Sequence, residues 1–109
     1  MAWRTTPITD LSGVIAGAYA VSTSDGCRFL VDMDERLTAR LGSSDEVLIE
    51  AEQARSDRLL VVATCRIGEP MVLLVDRGLP NVEFTRRETA SVTRIDRLLR
   101  PRQLDRRDT

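Results

Sequence analysis

The sequence predicts a mostly-β fold: a small antiparallel β-barrel or sandwich of about seven short strands, with one short helix at residues 43–55. Three observations predict it. Apolar and polar residues alternate with period two through much of the chain, as on strands whose side chains point to opposite faces. Two runs rich in branched apolar residues, 59–67 and 71–76, flank the short turn Gly68-Glu69-Pro70 and read as a hairpin. Turn signals also recur at close spacing. At 109 residues the chain fits one domain that buries about two-thirds of its surface. Residues 1–101 are assigned to the globular body and 102–109 to a disordered, Arg-rich tail after Pro101.

The elements follow in order. Trp3, the single tryptophan, is either a plug folded back on the core or an exposed anchor for a partner. Residues 14–22 read as a strand whose small side chains let a neighbouring layer approach closely. Ser24-Asp25-Gly26 is a turn signal, with glycine available for positive φ. In residues 27–31, Cys27, Phe29 and Val31 share one face and Arg28 and Leu30 the other. Asp32 to Glu35 form the next turn. Leu37, Ala39 and Leu41 then alternate with Arg36, Thr38 and Arg40, which favours a strand over a short helix capped by Gly42. In residues 43–55, Ser43 and Glu46 have capping-box spacing and Val47, Leu48, Ala51 and Ala54 form a helical stripe. The alternation of Val47, Ile49 and Ala51 with Leu48, Glu50 and Glu52 competes with that helix. The hairpin is apolar on both faces around Leu59 to Ala63 and Met71 to Val75. It is expected to be central and covered on both sides, with Phe29, Val61, Val62, Leu73 and Leu74 in the core. Residues 82–86 and 90–95 read as further strands, separated by Arg86-Arg87-Glu88. Thr5–Leu11 and Thr89–Ile95 are weakly alike, which chance similarity of two Thr-rich strands explains.

Composition narrows the function classes. A hydrophobic fraction of 42% with 30% charged residues belongs to a globular chain rather than a disordered one. All 16 basic residues are Arg and the only Asn is Asn81, a bias that points to a GC-rich genome such as that of an actinobacterium or its phage. No apolar run reaches membrane-spanning length, and the opening residues lack the pattern of a signal peptide. A cytoplasmic protein without membrane contact is therefore expected. Charge is uneven despite a net value of −1. Residues 32–57 carry eight carboxylates against three Arg, and residues 94–109 carry six Arg against three Asp. Such a division suits a solvated surface, head-to-tail self-association or two partners.

Recognisable catalytic chemistry is missing. Without a single His, the Ser-His-Asp and Cys-His nucleophile systems and the commonest transition-metal ligand are excluded. Two Cys do not complete a structural zinc site, and there is no phosphate-binding or dinucleotide-binding glycine motif. Phe29-Leu30-Val31-Asp32-Met33-Asp34 resembles the aspartyl-nucleophile motif of haloacid-dehalogenase-type phosphatases. The resemblance covers six residues, Arg36 stands where that motif has Thr or Val, and the chain is too short for that fold. Asp32 and Asp34 are therefore assigned to a hydrated turn. Their company with Glu35 lacks the ligand spacing and glycine of a calcium loop. Cys27 and Cys65 are expected to be buried, reduced thiols. No cofactor and no metal are expected.

The function expected is a non-catalytic protein–protein interaction or assembly module. It would act through sheet edges and charged regions, on its own copies in a homo-oligomer or on a protein partner. The alternative is a nucleic-acid-associated protein using the Arg-rich end, where guanidinium groups could grip phosphates. The candidate interaction residues are Trp3, Arg94, Arg97, Arg100 and Arg102.

Overall fold

The computed structural model describes residues 5–41 and 56–98. They form seven strands and no helix: β1 (Thr5–Ile8), β2 (Ala18–Thr23), β3 (Arg28–Asp32), β4 (Leu37–Leu41), β5 (Ser56–Thr64), β6 (Pro70–Asp76) and β7 (Thr85–Leu98). The helix expected at 43–55 lies outside the described residues, as do Trp3, Arg100, Arg102 and the 102–109 tail.

From β2 onward each strand pairs antiparallel with the next, and β7 returns to pair with β2. Six is an even number, so an antiparallel meander closes on itself with an antiparallel seam. The result is a closed six-stranded ring, in keeping with the small antiparallel β fold read from the sequence. β7 makes the closure. Its first half pairs with β6, and its second half lies between β2 and β1.

Two of the turns are where the sequence places them. Gly26 adopts φ +85° between β2 and β3, and the Thr23 hydroxyl and Cys27 N–H both bond the Asp25 carboxylate. Asp32 Oδ1 accepts the N–H groups of Asp34 and Glu35 at 3.0 and 2.9 Å, an Asx-type turn that leads into β4.

The ring interior is apolar. Tyr19, Val21, Val31, Leu59, Met71, Leu73, Val75, Val92 and Ile95 pack there with Leu11, Met33 and Cys65. A second buried cluster lies on the outer wall of β2, β3 and β4, where Ala18, Ala20, Leu30, Ala39 and Leu41 meet Leu98. The apolar alternation of β4 thus marks its outward face. Thr38 and Arg40 are on its inward face, beside Val31 and Phe29 of β3.

Three expectations need correction. Residues 82–95 do not contain two strands broken at Arg86-Arg87-Glu88; the charged triplet lies within the 14-residue β7. Its charges are met by ion pairs, Arg86–Glu88 at 3.0 Å and Arg87–Asp57 at 2.9 Å, so pairing with β6 is maintained. The hairpin is not covered on both sides: the inward residues of β6 are buried, whereas Val72 and Leu74 are half-buried. Val61 is not in the core but 47% exposed. The reason is register. The pairing shifts between Leu59 and Val61, and an extra residue there moves Val61 to the outer face. A second shift before Thr64 restores the phase, so Cys65 is fully buried. Of the other expected core residues, Leu73 is buried, and Phe29, Val62 and Leu74 are half-buried.

Candidate functional site

The described members of the sequence-derived set do not converge. Arg94 and Arg97 are three positions apart on one strand, so they project from opposite faces of β7. The Arg94 guanidinium pairs with the Asp96 carboxylate at 2.7 Å, and Arg97 is exposed on the face that carries Ile95. These two residues make no common stripe for a phosphate backbone.

The Asp32–Asp34 pair serves the backbone. Asp32 is buried and caps its turn, while Asp34 Oδ1 accepts the Gly17 N–H at 2.9 Å and ties β2's approach to the β3–β4 turn. Both cysteines are free thiols. Burial pushes the Cys65 thiol up to about 12, with the Asp10 carboxylate adding to the effect. Cys27 is half-buried, and its sulfur accepts a hydrogen bond from Arg40 Nη2 at 3.2 Å. Among the described residues, no group of three or more Cys, Asp or Glu is placed to hold a metal ion, and no helix is long and apolar enough to cross a membrane.

Two other surfaces stand out once the register is known. The first is the outer wall of β5, β6 and β7. Residues paired across antiparallel strands share a face. Three rows therefore lie side by side there: Arg58 with Asp76, Val61 with Leu74 and Arg86, and Thr64 with Val72 and Glu88. Exposed Val61 and half-buried Val72 and Leu74 form an apolar centre, and the four charged residues form its rim. The corresponding wall of β2–β3–β4 is buried. The contrast shows that outward apolar residues are covered on one side of the ring and uncovered on the other.

The second surface is a mouth of the ring. A cavity of about 210 Å³ opens there, lined by Phe29, Arg40, Asp57, Leu73, Arg77 and Arg87 among others. Arg40 faces inward because it is paired with Phe29, Asp57 because it is paired with Thr38, and Arg87 because it is paired with Leu73. These residues are spread over five strands, β3 to β7, with Arg77 just after β6, and nothing in their sequence spacing marks them as neighbours. The usable signal was an Arg directly across a β-pair from an inward apolar residue, which requires the register to be known.

No protein-family model, no curated protein and no solved structure matches this chain.

Proposed function

We propose that the chain is a non-catalytic interaction module that self-associates through the outer wall of β5–β6. The single observation that carries this reading is the apolar centre of exposed Val61 with half-buried Val72 and Leu74, on a wall whose counterpart across the ring is buried. A closed ring leaves little sheet edge for strand addition. The wall therefore replaces the sheet edge as the contact surface. The rim supports a second copy as the partner. Arg58 and Arg86 accompany Asp76 and Glu88, so the patch carries both signs. Under a twofold axis, such a patch can meet itself with opposite charges in register.

Light scattering coupled to size exclusion tests the reading on the full chain. A dimer is expected, and Val61→Arg should return it to monomer with an unchanged circular dichroism spectrum. A monomer at every concentration would sink the proposal. So would a dimer that persists in both Val61→Arg and Leu74→Arg.

A further inference from the structure

The mouth of the ring places charge where a closed β-ring ordinarily places apolar side chains. Arg40, Asp57 and Arg87 occupy inward positions on β4, β5 and β7, and Arg77 follows directly after β6. All four line one cavity with Phe29 and Leu73. Among the described residues that line it, three guanidinium groups share it with a single carboxylate, a net charge of +2.

The groups are partly fixed in advance. Asp57 Oδ2 accepts from Arg87 Nη1 at 2.9 Å, and Cys27 Sγ accepts from Arg40 Nη2 at 3.2 Å. Arg77 makes no hydrogen bond or ion pair with any described residue. Like charges gathered around a concave, part-apolar space repel one another, and the repulsion is relieved when an anion enters. Guanidinium forks match tetrahedral phosphate oxygens bidentately.

We infer that this mouth binds a small phosphate monoester with a planar apolar group. Arg40, Arg77 and Arg87 hold the phosphate, and the organic group packs against Phe29 and Leu73. Charge decides for phosphate over carboxylate: a monoester carries about −1.5 to −2 at neutral pH, which balances the +2 of the walls, whereas a carboxylate does not. Size limits the ligand. A cavity of about 210 Å³ has the volume of roughly seven liquid waters, enough for one small organic anion.

The experiment is calorimetric titration of the full chain with phenyl phosphate, benzoate and inorganic phosphate. Phenyl phosphate is expected to bind saturably, with a dissociation constant below about 1 mM. Inorganic phosphate should bind more weakly because it lacks the apolar group, and benzoate more weakly because it carries one charge. Affinity should fall as pH drops through about 6, where the phosphate gains its second proton. Arg77→Gln should weaken phenyl phosphate by about tenfold or more, through loss of charge-assisted hydrogen bonds, with no change in melting temperature of the free protein. Arg40→Gln is a second variant with the same expected loss. Absence of saturable phenyl phosphate binding would overturn the inference, as would equal affinity for benzoate or an undiminished affinity in both variants. Binding only of a single-stranded oligonucleotide, through the same arginines, would also overturn it in favour of a nucleic-acid site. The oligomeric state is a separate readout, so this inference and the self-association reading fail independently.

Discussion

Gly17 shows how one missing methyl group permits a local arrangement. It adopts φ +97°, and a Cβ built there would lie 2.8 Å from Tyr19 Oη. That hydroxyl cannot swing away at low cost, because it donates to the Ala16 carbonyl at 2.8 Å and its ring is buried. The Gly17 backbone is itself engaged, its N–H donating to Asp34 and its carbonyl accepting from Met33 N–H at 2.8 Å. Gly17→Ala is therefore expected to cost about 1–3 kcal/mol from backbone strain and crowding. Urea denaturation checks it; an unchanged midpoint would mean that Tyr19 relocates freely.

Cys65 gives a pH dependence with a definite sign. Its thiol keeps its proton to about 12 in the folded chain, against an ordinary 9.0, because burial opposes the thiolate and the Asp10 carboxylate adds repulsion. The folded state thus binds the proton more tightly than the unfolded state. The stabilising contribution is complete below pH 9.0 and is lost as pH rises toward 12. The urea midpoint should fall through that window, and Cys65→Ala should remove part of the slope. At neutral pH the native protein should react with iodoacetamide at Cys27 and not at Cys65, which peptide mass mapping can read.

At the scale of the element, β5 carries the most instruction. A strict alternation starting from buried Leu59 would bury Val61, yet the extra residue between them turns Val61 outward. Val61→Asp is therefore expected to leave stability within about 1 kcal/mol of the parent. Val75→Asp, on the neighbouring strand, should unfold the domain, because Val75 is fully buried in the ring and an unpaired carboxylate there is heavily penalised. Equal loss of the far-ultraviolet signal in both variants would contradict the register. The same strand explains what was legible in the sequence. Alternation located β3, β4 and β6 and their turns, because local periodicity and turn chemistry suffice for that. A bulge breaks periodicity without any compositional mark, so the inward and outward sides of β5 could not be read. Arg86-Arg87-Glu88 looked like a break because charged triplets usually end strands. Here Asp57 and Glu88 supply the partners that let β7 continue. The mouth was illegible for a related reason: Arg40, Arg77 and Arg87 become neighbours only through closure of the ring.

For the whole molecule, closure raises the question of where the ring opens. Every strand of the ring has two neighbours, so local unfolding must break a seam, and the seams are unequal. β2 and β7 are joined through six paired positions, with β1 covering the far side of the Ile95–Leu98 segment. Among the described residues β4 and β5 are paired at Leu37 with Arg58, Thr38 with Asp57 and Ala39 with Ser56. The interior residues beside the β2–β7 seam, Val21, Val92 and Ile95, are fully or almost fully buried. Beside the β4–β5 seam lies the cavity, lined by Thr38 and Asp57 with only Phe29 and Leu73 as large apolar neighbours among the described residues. Less apolar contact lowers the free energy of opening. Native-state hydrogen exchange should therefore show backbone amides of the β4–β5 seam exchanging through a subglobal opening, ahead of those of Val92 to Leu98, which should wait for global unfolding. The inferred phosphate monoester bears on the same hierarchy. It would bridge Arg40 of β4 to Arg77 and Arg87 beyond β5, so it stabilises the closed ring by mass action. Phenyl phosphate should slow exchange at the β4–β5 seam more than at β2–β7. Uniform protection across both seams, or a ligand effect of equal size at each, would show that the ring opens as one unit.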